Sequence, residues 1–205
     1  MGENVRAVLW CNGSIPSKEV LESAILPGDS VYGVDGGALN AIENGYQVVE
    51  AIGDLDSIDV NSWDGGVVPL PDQSSSDLVK SISLLVERGF EQIEVVGVDG
   101  GSPDHILGNW AALFEAPGGV SIRLHHEGGV TQRIHPSEGE LEINMESGST
   151  FSVFALEPAM VWVEGAKWEI SGEQLALSTR GLSNEGVGKC VSIKSTGVLA
   201  VVFRK

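Results

Sequence analysis

The chain is poor in cationic side chains. Lys and Arg number 12 among 205 residues, against 29 Asp and Glu, and the formal net charge is −17. A surface this acidic repels nucleic acid and anionic lipid, so neither is expected as a partner. It also repels free ATP, so an enzyme with this balance that uses ATP needs metal ions to screen the phosphates. Cysteine is scarce. Cys11 and Cys190 stand far apart with no CxxC-type spacing, and buried free thiols in a reducing compartment are the expectation. Long hydrophobic runs are missing. The longest, such as residues 198–203, are of strand length, so no membrane span is expected. Glu3 and the lack of an apolar run behind a basic start argue against a signal peptide. The expectation is a soluble cytoplasmic protein. Hydrophobic residues still make up 42% of the chain, which is ordinary for a globular fold.

The first half alternates strand-like and helix-like segments. Apolar runs at 7–11, 31–34, 48–52, 67–70 and 93–98 each end in Gly, Asn, Pro or Asp, as strands entering turns do. Helical periodicity appears at 17–25, 38–43, 76–88 and 105–115. In the third of these Leu78, Ile82, Leu85 and Val86 share one face, and Gly89 ends it. This order predicts an α/β fold with an open, mostly parallel, Rossmann-like sheet flanked by helices. After residue 120 helical periodicity disappears. Strand-like runs at 120–124, 140–143, 150–156, 161–163, 190–193 and 198–203 predict an antiparallel β-sandwich or barrel. The expected domains are 1–118, catalytic, and 119–205, all-β.

Parallel sheets bind ligands outside the carboxyl ends of their strands, and here those ends are acidic. They read Asp35-Gly36-Gly37-Ala38, Gly53-Asp54-Leu55-Asp56-Ser57, Asp72-Gln73-Ser74-Ser75-Ser76-Asp77, and Asp99-Gly100-Gly101-Ser102-Pro103-Asp104-His105. Each alone is ordinary turn or cap chemistry. Together they suit magnesium-assisted phosphoryl transfer. Mg²⁺ takes hard oxygen ligands from a few carboxylates, waters and phosphates, and Asp54, Asp56 and Asp77 are the candidate ligands. Glycine allows close backbone approach to phosphate oxygens, and helix N-termini near Ser76 or Asp104 supply further donors. Lys80 is a candidate phosphate-neutralising cation or a solvated surface residue. His105 is a candidate contact or a packing residue.

At these residues the chain resembles the thiamin pyrophosphokinase family. The family pattern DGGA, GDxDS, DxxxTDxxK and GGRxDHxxxN is similar to Asp35–Ala38, Gly53–Ser57, Asp72–Lys80 and Gly100–Asn109 here, in order and spacing. Gly165-Ala166-Lys167-Trp168 and Gly181-Leu182-Ser183-Asn184 resemble two later family elements. The resemblance implies that ATP and thiamin give AMP and thiamin diphosphate, with Mg²⁺ as cofactor. It implies Asp54, Asp56 and Asp77 as metal ligands, with Lys80 beside them in the catalytic set. Asp35, Gly36, Gly37, Ser57, Asp72, Asp104, His105 and Asn109 would serve the ATP side. Ser183 and Asn184 would serve the thiamin side, in a homodimer whose sites lie between subunits. The chain departs from the pattern at Ser102-Pro103, where an arginine is expected, at Ser76 in place of Thr, and at Ser74, where some members carry an acid. Alternatives are a pyrophosphokinase with another acceptor and a non-catalytic binding protein. Trp168 reads as packing in preference to substrate contact. His125 and His126 read as surface loop.

Overall fold

The computed structural model describes residues 5–55, 63, 65–155 and 157–205. The chain divides into two compact units, Met1–Glu127 and Gly128–Lys205. Among the described residues of the first, the elements run β1 (Arg6–Trp10), α1 (Lys18–Ala24), β2 (Ser30–Val34), α2 (Gly37–Glu43), β3 (Val48–Gly53), β4 (Gly66–Pro69), α3 (Asp77–Glu87), β5 (Gln92–Val96), α4 (Pro103–Glu115) and β6 (Ser121–His126). Every strand pair in this unit is parallel, in the order β6-β5-β1-β2-β3-β4. Ala7, Val8, Leu9 and Trp10 of β1 are all buried. Since successive strand residues point to opposite faces, both faces of the central strand are covered. Leu21 and Ala24 of α1 and Ala41 of α2 pack into one cluster with Val8, Trp10, Val31 and Val96.

Local signals explain the helix ends. The Ser17 hydroxyl accepts from the Val20 amide (3.4 Å), and the Ser76 hydroxyl accepts from the Val79 amide (3.3 Å), each satisfying an orphan donor of a first turn. Leu78, Ile82 and Leu85 of α3 are buried, and Gly89 follows at φ 89°. Helix α4 starts two residues before the sequence expectation, with Ser102 as its cap residue and Pro103 in its first turn, where proline's missing N–H costs nothing.

The chain leaves β1, runs outward through β2, β3 and β4, and returns to place β5 on the other side of β1. The C-terminal end of β1 is therefore a topological switch point, the usual ligand crevice of an open parallel sheet.

The second unit is antiparallel. Its strands are β7 (Gly129–Ile134), β8 (Leu141–Asn144), β9 (Thr150–Ala155), β10 (Ala159–Glu164), β11 (Ile170–Leu175), β12 (Asn184–Glu185), β13 (Cys190–Ser195) and β14 (Leu199–Arg204). They pair in the orders β12-β9-β14-β7 and β11-β10-β13-β8. Phe151, Val153, Leu199 and Val201 from the first group share one core with Val161, Val163, Val191 and Ile193 from the second.

Four sequence expectations are corrected. The first unit extends to Glu127 rather than 118, because β6 pairs in parallel with β5. His125 and His126 end that strand rather than a surface loop, and His125 is buried against Glu94 (Nε2 to Oε2, 2.5 Å). Cys190 is exposed, whereas Cys11 is buried as expected. Strands β7 and β11 had no apolar signature. Strand β7 carries Gln132 and the buried Arg133, which pairs with Glu138 (2.6 Å), and β11 carries Gly172, whose bare Cα faces the Trp162 indole.

Candidate active site

A cavity of about 560 Å³ opens at the switch point. Its walls are the segments that follow β1 (Cys11, Asn12, Gly13), β2 (Val34, Asp35) and β5 (Gly97, Val98, Gly100, Gly101), with the starts of α3 and α4. These segments are closely packed. A methyl group built on Gly37 would lie 2.0 Å from the Trp10 carbonyl oxygen, and one on Gly100 would lie 1.9 Å from the Ser14 hydroxyl. Only glycine allows either approach.

Of the expected residues, Asp35, Asp77, Asp104, His105 and Asn109 line this one cavity. Asp35 and Asp77 flank the end of β3. A methyl group on Gly53 would sit 3.3 Å from Asp35 Cβ and 3.4 Å from Asp77 Cγ. Asp54 follows directly in the chain and accepts a long hydrogen bond from the Gln73 amide (3.4 Å). Gly36 and Gly37 start α2 beside Asn12; a methyl group on Gly36 would meet the Asn12 amide at 2.6 Å. Asn109 donates to the Val98 carbonyl (3.0 Å) and ties α4 to the segment after β5. Asp56 and Ser57 lie outside the described residues. Asn12 was missed by the sequence reading, and its position after β1 was the available signal.

Asp35 and Asp77 each have one buried carboxylate oxygen that makes no hydrogen bond. For Asp77 that oxygen is ion-paired with the Lys80 ammonium at 2.7 Å. Lys80 donates to the carbonyls of Leu70 and Asp72, both at 2.7 Å. Its charge is thus engaged within the protein by two carbonyls and Asp77, and it fixes the segment ahead of α3. Asp72 is exposed, and its carboxyl is held below its ordinary range by hydrogen bonds from the Ser74 hydroxyl and amide. The Asp104 carboxyl is held low by the Ser102 hydroxyl and by backbone amides of the α4 first turn.

Among the described residues, no three His, Cys, Asp or Glu side chains are grouped to hold a metal ion alone. The donor set nevertheless fits a cation that takes few protein ligands. Asp35 keeps a buried carboxylate oxygen with no hydrogen bond, and Asp77, whose buried oxygen is answered by Lys80 alone, stands on the other side of Gly53. Mg²⁺ completes its shell with waters and phosphate oxygens.

The second unit has its own smaller cavity of about 240 Å³, lined by Trp168, Ile170, Arg180, Gly181, Leu182, Ser183 and Asn184. Trp168 is 51% exposed, which corrects the packing expectation. The Lys167 ammonium lies 4.7 Å from the Trp168 ring centroid and pairs with Glu185 (2.8 Å). Asn184 is buried and brackets Trp168: its Oδ1 accepts from the Trp168 amide (3.1 Å), and its Nδ2 donates to the Trp168 carbonyl (2.7 Å). Ser183 is held by Ser152 through its amide (3.0 Å), and its hydroxyl faces Arg204 (3.2 Å).

Three described non-glycine residues have positive φ: Asp35 (46°), Leu55 (62°) and Ser183 (58°). All three fall in segments singled out by the sequence motifs, and strained backbone concentrates at functional sites.

Comparison with known proteins converges on one family. Residues 23–124, about half of the chain, match the family described as thiamin pyrophosphokinase, catalytic domain. The thiamine pyrophosphokinase of Bacillus subtilis is 27% identical over 163 residues, covering 75% of this chain and 76% of that protein. The crystal structure of thiamine pyrophosphokinase from Bacillus subtilis superposes with a TM-score of 0.80 at 24% identity, covering 98% of this chain and 99% of that one. The yeast thiamin pyrophosphokinase structure gives 0.75 at 14% identity, covering 99% and 87%. The chain belongs to the thiamin pyrophosphokinase family.

Proposed function

We propose that this protein is a thiamine diphosphokinase that transfers the terminal diphosphate of ATP to the hydroxyl of thiamin. The observation that carries the reading is the pair of Asp35 and Asp77 at one strand end, where Asp35 has a buried carboxylate oxygen that makes no hydrogen bond and that of Asp77 is met by Lys80 alone. The thiamin oxygen forms a bond to the β-phosphorus, the bond from that phosphorus to the bridging oxygen breaks, and AMP leaves with the electron pair. The hydroxyl proton passes to a carboxylate, and Asp77 is the candidate acceptor. Such transfers need positioning and charge neutralisation more than covalent help. Mg²⁺, held by carboxylates at the end of β3, would supply charge neutralisation for the transferred phosphates.

Asp54, Asp56 and Asp77 would hold the metal, as the family pattern implies, with Asp35 across Gly53 from Asp77 at the same strand end. Asp35, Asp104, His105, Asn109 and the glycines at 36, 37, 100 and 101 form the nucleotide side, with Ser57 and Asp72 beside them. Lys80 holds Asp77 and the segment from Leu70 to Asp72 in place, so its role is positioning rather than phosphate contact. On the thiamin side, the Trp168 ring is the platform for a flat cationic heterocycle, Asn184 orients that tryptophan, and Ser183 offers a hydroxyl. In this reading the first unit is Rossmann-like, the second is a two-sheet sandwich, and the protein works as a cytoplasmic homodimer.

The test is AMP release from purified protein with ATP, Mg²⁺ and thiamin. AMP formed only when thiamin and Mg²⁺ are both present supports the reading, and ADP as product sinks it. A second reading rests on Ser102-Pro103, which replaces a phosphate-binding arginine of the family pattern: a protein that binds thiamin or nucleotide without turnover. Tight binding with no AMP under any divalent metal would favour it.

A further inference from the structure

Gly97, Val98, Gly100 and Gly101 line one wall of the larger cavity, and three of the four are glycines in a backbone region that other residues rarely adopt. Gly97, Gly100 and Gly101 have φ of 69°, 78° and 77°. A methyl group on Gly101 would meet nothing within 4 Å, so its backbone faces open space. Three contacts hold the carbonyls of this wall. The Gly13 amide donates to Gly97 (2.9 Å), the Ser14 amide donates to Asp99 (2.6 Å), and Asn109 donates to Val98. The fourth tie runs through a side chain. Asp99 Oδ1 lies 2.6 Å from Nδ1 of His126, and Oδ2 accepts from the Glu127 amide (2.9 Å). A carboxylate only accepts, so Nδ1 is the donor. The same imidazole stacks on Trp110 of α4, with centroids 6.3 Å apart and planes 29° apart. One side chain from the end of β6 thus touches both the cavity wall and the helix that carries Asp104, His105 and Asn109.

We propose that Asp99 and His126 form a positioning clamp that sets the Gly100-Gly101 backbone and α4 for the phosphates of the nucleotide. The clamp rests on the assignment of this cavity to nucleotide. Among the described residues that line the cavity, His105 is the one side chain able to carry positive charge. Phosphate contacts therefore fall largely to backbone donors and metal. Backbone donors work only at a fixed position, and displacement by about 1 Å costs binding and rate steeply. The other three contacts hold the wall only as far as the Asp99 carbonyl, and the clamp adds the tie through the side chain that directly precedes Gly100-Gly101.

The test uses the full chain and two variants of His126. His126→Phe keeps a ring for Trp110 and removes the donor. His126→Asn restores an N–H at the place of Nδ1. Binding of the Mg²⁺ complex of a non-hydrolysable ATP analogue is measured by calorimetry, and AMP release gives KM for ATP and for thiamin. His126→Phe is expected to weaken analogue binding and raise KM for ATP about tenfold, the worth of a charge-assisted hydrogen bond. KM for thiamin stays near the parent's, the melting temperature falls by no more than about 10 °C, well short of unfolding at the assay temperature, and His126→Asn recovers most of the loss. The double variant Asp99→Ala, His126→Phe is expected to be no worse than either single variant. Unchanged analogue affinity in His126→Phe overturns the clamp, as does an equal rise in both KM values. Failure of the parent itself to bind the analogue overturns the nucleotide assignment and the clamp with it.

Discussion

Lys80→Met separates two roles for one lysine. The sequence allows Lys80 as a cation for substrate phosphate, whereas the structure engages its ammonium with two carbonyls and Asp77. The side chain is 11% exposed, so these contacts are only weakly screened. A hydrogen bond involving a charged group contributes roughly 1.5–3 kcal/mol. The two carbonyl bonds together come to about 3–6 kcal/mol, and about 2 kcal/mol of rotamer entropy is regained when they are lost. The Asp77 carboxyl is 29% exposed but its paired oxygen is buried, so loss of the ion pair adds to this rather than offsetting it. Methionine keeps most of the stem packing. The expected net loss is about 2 kcal/mol, which for a unit of this size lowers the melting temperature by roughly 5–10 °C. Thermal denaturation and AMP release are measured on the same preparations. The expected outcome is a clear drop in melting temperature together with reduced turnover, because Asp77 and residues 70–72 lose their anchor. A variant that melts within about 2 °C of the parent but has lost turnover would refute the positioning role and restore the phosphate-cation role.

Three further outcomes are expected. Burial acts to raise the Glu94 carboxyl pKa, but hydrogen bonds from His125 and Gln92 and the charges of His125 and Arg123 outweigh it, so the group sits below its ordinary 4.5. A depressed carboxyl contributes stability above its unfolded value and loses it as pH falls through the folded one. Glu94→Gln should therefore flatten the decline of urea midpoints below about pH 4.5 relative to the parent. Trp168→Ala should raise KM for thiamin about tenfold with less than about 1 kcal/mol loss of stability, measured by AMP release and urea unfolding, since the ring is half exposed. Finally, a thiol reagent at pH 8 should label one cysteine of the native protein quickly. Cys190 is exposed, whereas Cys11 is buried with its pKa pushed up to about 12, so the second thiol reacts only on unfolding.

Much of the first unit was legible because its signals are local. The apolar runs that became β1, β2, β3 and β5 end at turn residues, and α3 is bounded by Ser76 and Gly89. The acidic loops lie on one sheet edge because parallel crossovers leave no other arrangement. What the sequence hid depends on partners remote in the chain. Arg133 is a poor strand signal until Glu138 answers its charge. His125 looks like a surface residue until Glu94, 31 positions away, is found to receive it. Lys80 shows a free charge in sequence, and only the fold reveals the two carbonyls that engage it. Trp168 was misread because a lone tryptophan is usually packed, and nothing local signals that Asn184 brackets its backbone.

The positive φ of Asp35 and Ser183 has a practical consequence for anyone evolving this protein for heat resistance. A side chain in that backbone region costs roughly 1 kcal/mol that glycine avoids. Asp35→Gly and Ser183→Gly are therefore among the cheapest gains in melting temperature available to a library. Each also deletes a group assigned here to substrate. Selection on stability alone would enrich both changes and deliver robust, inactive protein. A screen that scores turnover in the same round would discard them, and the gap between the two screens would measure how much strain this site carries.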